Sequence, residues 1–142
     1  MAFFWFSKYN LKSNGYAVLQ RYILKYSPLY EIRIDPQSDT YQLIEQFCKQ
    51  NPDVFKYDLH RVCVASGALL LGLENCYSAG SAHEANFFLF CLGQILMDIE
   101  TEEDELKLSG YDRKFIAGCG VVYIEYSQKL ADSSPDLASG LF

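Results

Sequence analysis

Between Arg61 and Lys107 the chain has no lysine or arginine, a gap of 45 residues in a protein of 142. The same window holds eight carboxylates, so it alone carries −8 against a chain total of −6. Residues 1–61 sum to +2, from eight basic and six acidic side chains, and residues 107–142 sum to zero. An asymmetry of this size bears on partners, solubility and association rate rather than on fold. It disfavours contact with nucleic-acid phosphate and favours a basic protein surface.

Other absences narrow the class further. The longest apolar stretches, Val62–Leu73 and Phe87–Met97, fall short of the roughly 20 residues a helix needs to cross a bilayer. No membrane span is therefore expected. The greasy start Met1-Ala2-Phe3-Phe4-Trp5-Phe6 is followed, not preceded, by a base (Lys8), and no long apolar run leads to a small-residue cleavage site. That pattern is not a secretory signal. No C-x-x-C pair occurs, and the cysteines number five (Cys48, Cys63, Cys76, Cys91, Cys119), which is odd. A disulfide scaffold favours short, loop-rich secreted chains. Free thiols acting as small hydrophobes in a reducing, cytoplasmic setting fit this composition better.

Catalytic and cofactor motifs are missing as well. His83-Glu84 opens like a zinc-peptidase helix, but the second histidine would have to stand where Phe87 is. His60 and Cys63 share a helix face at i, i+3, yet a zinc site needs two further ligands that no spacing supplies. The same pair is the one local Cys–His combination for a nucleophile, and two residues on one helix seldom make such a dyad. Gly118-x-Gly120 lacks the third glycine and the lysine of a phosphate loop. No cofactor and no metal is expected.

What is present is a large supply of core. Half of the residues are apolar and 15% are aromatic, enough to bury one sizeable interior. We expect one helical domain over 1–132 and a flexible tail over 133–142, where Ser133-Ser134-Pro135 and Ser139-Gly140 read as a frayed end. The periodicity predicts an all-α, compact bundle of about five helices, near 15–26, 39–50, 52–77, 82–107 and 110–131. Tyr16, Leu19, Ile23 and Tyr26 share one face of the first, which must stop at Ser27 because Pro28 follows. In the second, Asp39 is the expected cap, and Leu43, Ile44 and Phe47 recur at helical spacing. Asn51-Pro52-Asp53 offers a start for the third. Ser81-x-x-Glu84 and, more weakly, Ser109-x-x-Asp112 are capping-box patterns. Tyr30, Ile32 and Ile34 alternate with Glu31 and Arg33 like a short strand, whose natural partner is the stretch Phe3–Phe6, so a small N-terminal β-ribbon is added to the bundle.

The last three helices are apolar on nearly every side through their middles, which marks central elements. They also carry Gly67, Gly72, Gly93, Gly118 and Gly120. An interior glycine costs about 1 kcal/mol against alanine, so close helix approach is the expected compensation. Val121, Val122, Tyr123 and Ile124 favour strand, and the segment 118–126 is assigned to helix on its flanks alone.

Six of the eight carboxylates crowd into eight positions: Asp98, Glu100, Glu102, Glu103, Asp104 and Glu105. At a helix C-terminus they oppose the macrodipole. Asp98/Glu102 and Glu100/Asp104 are also like-charge pairs at i, i+4. A solvated helix end explains their solubility but not their placement. A calcium loop would need the glycine that the block lacks. A protein-binding surface accounts for the cluster, with Tyr111, and less directly Tyr77, as aromatic anchors. The function expected is thus non-enzymatic: an acidic inhibitor or toxin-immunity protein that neutralises a basic protein partner, toxin or effector, as monomer or homodimer. An assembly or secretion chaperone is the alternative. A carrier or enzyme with a pocket lined by His60, Cys63 and Tyr123 is a third class.

Overall fold

The computed structural model describes residues 14–50, 58–102, 105–106 and 108–133, and among them the fold is an all-α bundle of five helices without strands. These are α1 (Asn14–Tyr26), α2 (Asp39–Gln50), α3 (Asp58–Ser78), α4 (Ala82–Thr101) and α5 (Gly110–Ser133), with a 3₁₀ turn at Ser27–Tyr30. The asparagine-proline start expected near residue 52, the ribbon partner Phe3–Phe6 and the tail beyond Ser133 lie outside the described residues.

Helix α3 is the hub and packs against each of the other four. Its middle is buried on most sides: Val64, Ala65, Ala68, Leu69 and Leu73 all lie in the core. Helix α4 lies along α3 and supplies Phe87, Phe88, Leu89, Leu92 and Ile95. Three glycines let α3 and α4 meet each other and their neighbours α2 and α5. A Cβ on Gly72 would come within 2.7 Å of the Phe88 ring, one on Gly67 within 2.8 Å of Phe47, and one on Gly93 within 2.8 Å of Tyr123. Aromatic rings occupy the space that side chains would otherwise need.

The helix ends follow local rules, with instructive departures. α1 stops at Tyr26 and Pro28 opens the 3₁₀ turn, as the steric rule requires. α2 begins at Asp39, but the cap is Ser38, whose hydroxyl accepts from the Tyr41 amide at 3.4 Å. Asp39 sits one place later, where its charge meets the positive end of the helix dipole. The buried face of α2 is Thr40, Tyr41, Ile44 and Cys48, so Leu43 points outward instead. α3 closes with Gly80 at φ +77°, whose amide donates to Tyr77 while the Ser81 amide reaches back to Cys76. That is the paired closure a left-handed glycine permits.

The residues 30–34 keep the expected alternation of half-buried and exposed side chains. They form no strand, however: the 3₁₀ turn ends at Tyr30, Glu31 takes φ 53°, and the chain runs on irregularly with Ile32 and Ile34 against the core. The half-buried positions are Tyr30, Ile32 and Ile34, which pack against the core.

The two capping boxes separate. At Ser109-x-x-Asp112 the box is complete: the Asp112 amide donates to Ser109 Oγ at 3.1 Å, and the Asp112 carboxylate accepts from the Ser109 amide at 3.4 Å and from its hydroxyl at 2.9 Å. At Ser81 the helix starts in the expected place without a side-chain cap bond. Glu84 turns inward instead, accepting from the Cys76 thiol at 3.6 Å. Thr40 on α2 and Asn75 on α3 extend that contact, Asn75 Nδ2 donating to Thr40 Oγ1 at 2.7 Å and Thr40 lying 3.5 Å from Cys76 Sγ. Three helices are joined by this short polar chain.

α4 ends at Thr101, six residues before the expected 107. Two causes combine. The acidic run would extend like charges along the negative end of a helix, and Leu106 and Leu108 leave the helical path to pack against the core. Glu102 becomes the C-cap, and the amides of Glu105 and Leu106 both return to its carbonyl. The segment 118–126, with its strand-favouring residues, is continuous helix within α5.

Candidate protein-binding surface

The acidic block divides among three settings. Asp98 faces α1, where it accepts a hydrogen bond from the Tyr22 hydroxyl. Burial, and next to it the Asp98 carboxylate, push the Tyr22 phenol well above its ordinary range. Arg21 and Lys25 of α1 line the same cleft with Asp98 and Glu102. Asp98 is therefore both an exposed acid and a tie between α1 and α4. Glu100 points the other way, onto a groove between α4 and α5. Glu105 is exposed in the turn after the helix. Glu103 and Asp104 lie outside the described residues, as does Lys107.

The groove has a volume of about 300 Å³ and an apolar floor. Leu96 and Ile99 come from α4, Ile116, Ala117 and Gly120 from α5, and Leu108 from the connection between them. Glu100 of α4 and Arg113 of α5 are its charged lining residues, the Arg113 Nε also donating to the Leu108 carbonyl at 3.4 Å. Met97, 61% exposed, lies beside it on α4. Tyr111, 77% exposed at the start of α5, is free to serve as an anchor. Tyr77 is not: its ring meets Tyr126 edge-on at 5.1 Å, and Lys129 sits over both rings.

Among the described residues, His83 and the cysteines are not gathered into one cluster. Cys63 is buried and its thiol donates to Asp112 at 3.7 Å. Burial first, and then the Asp112 charge, push the thiol up to about 12. Cys76 and Cys119 are raised to about 11, with burial the leading cause in each. A thiol held this far from ionisation is a poor nucleophile at neutral pH. All five cysteines are free and buried. His83 lies on the surface, hydrogen-bonded to the Tyr30 carbonyl. The side chain of His60 is outside the described residues. Cys63 and Tyr123 face different neighbours, Asp112 and Gly93, rather than one shared cavity. Among the described residues no group of three His, Cys, Asp or Glu is placed to hold a metal ion, and no helix is long and apolar enough to cross a membrane.

Sequence reasoning located the acids but missed the groove. The floor residues come from two helices joined by a turn, so no single stretch displays them. It also read α5 as central. Cys119, Tyr126 and Leu130 do face the core, but Val121 and Ile124 stand 57% and 68% exposed on the opposite side. A helix apolar all round is expected to be covered all round, and among the described residues this one is covered on one side.

Compared with known proteins, the chain matches no family model, no curated protein and no solved structure.

Proposed function

We propose that this chain is a non-catalytic binding protein that docks a basic protein partner at the α4–α5 end, in the manner of an inhibitor or immunity protein masking a basic surface. The observation that carries the reading is the position of Glu100 in the lining of an apolar groove, with Glu102 and Glu105 exposed in the adjoining turn. An apolar floor supplies contact area, and carboxylates at its rim speed and orient the encounter. Buried free thiols support a reducing, cytoplasmic setting for the encounter.

The test is fluorescence anisotropy with two amphipathic helical peptides, each with leucines on one face, one carrying lysines on the other and one glutamates. The lysine peptide should bind, with affinity falling about tenfold or more from low to physiological ionic strength. Replacing Glu100, Glu102 and Glu105 together by lysine should abolish that binding and leave the thermal midpoint unchanged or raised. Equal binding of the glutamate peptide, or full affinity in the triple variant, would refute the reading.

A further inference from the structure

On the outward side of α5, six exposed positions recur at alternating intervals of four and three: Gly110, Lys114, Ala117, Val121, Ile124 and Gln128. That spacing is the seam of a two-helix coiled coil. Its centre is apolar, and among the described residues the main packing of α5 is on α3 and α4, on the side of Cys119, Tyr126 and Leu130. Gly118 and Gly120 flank the seam. A Cβ on either would meet nothing within 4 Å, unlike the glycines of α3 and α4. Each costs about 1 kcal/mol against alanine in a helix, and no packing within the described chain compensates for it.

We propose that the outward face of α5 is a self-association surface, and that its occupant is the same face of a second copy running antiparallel. Charge selects this occupant. Lys114 lies five residues before Cys119 and Glu125 five residues after Gly120, and both are exposed. An antiparallel pairing about a two-fold axis at residues 119–120 sets Lys114 beside the partner's Glu125 and repeats the contact on the other side. A two-fold interface must be self-complementary in this way. The same register lays Val121 against the partner's Ala117 and Gly118, so the branched side chain enters the gap left by the small ones. Ile124 meets the aliphatic stem of the partner's Lys114. A parallel pairing would instead set Lys114 against Lys114 and Glu125 against Glu125.

The contact is modest. A helix of 24 residues is about 36 Å long, and one helix pair buries less than the roughly 800 Å² per partner of a standard interface. The dimer should therefore dissociate on the order of micromolar concentrations. This proposal is independent of the groove reading, since the seam residues other than Ala117 lie off the groove floor and the acidic turn plays no part.

Sedimentation equilibrium of the full chain over a range from low to high micromolar concentration tests it. The wild-type chain should pass from monomer to dimer. Val121→Arg should be monomeric throughout, with a circular-dichroism melt like that of the diluted wild type because the site is exposed. Lys114→Glu and Glu125→Lys should each weaken the dimer about tenfold, and the double variant K114E/E125K should restore it. A wild-type chain that stays monomeric, whether because a foreign segment or the chain's own end covers the face, overturns the proposal. So does a dimer that survives Val121→Arg. Single charge reversals without effect overturn the antiparallel register.

Discussion

Helices α3 and α5 each carry two interior glycines, and the two pairs stand in opposite surroundings. In α3, Gly67 and Gly72 are pressed by the rings of Phe47 and Phe88, so their missing side chains are part of the packing. In α5, Gly118 and Gly120 face open space. The same residue type, at the same intrinsic cost, is explained by the fold in one helix and left over in the other. What remains after folding has been accounted for is the better guide to contacts outside the chain. The acidic block teaches the same lesson more faintly, because Asp98 serves the fold through Tyr22 and Glu102 shares its cleft with Arg21 and Lys25, while Glu100 lines the groove instead.

The contrast can be broken first at α3. Gly72→Val would drive two methyl groups into the Phe88 ring, which has no exposed edge to move toward. Overpacking of this kind costs about 3 kcal/mol, and urea denaturation should show the midpoint falling accordingly. A loss below about 0.5 kcal/mol would mean that the α3–α4 approach is looser than described.

Alkaline pH tests the shared interior next. Cys48 and Cys63 are raised to about 12 and Cys76 and Cys119 to about 11, from an ordinary value of 9.0. Because the folded values are raised, the neutral thiols contribute their full stability below pH 9. That contribution is lost as pH climbs from 9 through 11 to 12, where the unfolded chain ionises and the folded one resists. The urea midpoint should be level between neutrality and about pH 8.5 and then decline. Thiol reagents at pH 8 should label none of the five cysteines faster than the chain unfolds. Rapid labelling in native buffer would contradict the burial on which both expectations rest.

The smallest effect sharpens the comparison from the α5 side. Gly118→Ala should raise the stability of the monomer by about 1 kcal/mol, since nothing lies where the methyl group would go. The measurement is a melt at concentrations low enough to hold the chain dissociated. A destabilising Gly118→Ala would show that α5 has an internal neighbour at this position.

Much of the fold was legible because it is written in short-range chemistry. Pro28 ends α1, Ser109 and Asp112 cap α5, and helical spacing of apolar residues marks α1 and α2. Errors arose where two local rules competed or where tertiary contact decided. The cap of α2 moved by one residue because Ser38 and Asp39 are both good candidates, and the serine hydroxyl is the one that reaches the Tyr41 amide. Glu84 left its capping role for Cys76, a partner eight residues away. The alternation at 30–34 was real as burial and misleading as a strand. For the candidate surface, composition pointed to the acidic turn, whereas the groove needs Leu96, Leu108 and Ile116 brought together in space. The seam on α5 was present in the spacing from Lys114 to Gln128, hidden by a second apolar stripe on the same helix that feeds the core.

The central position of α3 also governs how the molecule opens. Because each of the other four described helices rests on it, no cooperative unit among them can detach while leaving α3 covered as it is, and its innermost amides should exchange with solvent only through complete unfolding. The outer turns of α5, backed on one side only, open by local fluctuation. The part of the chain assigned here to a second copy is thus also the part that a partner can most readily slow in its hydrogen exchange.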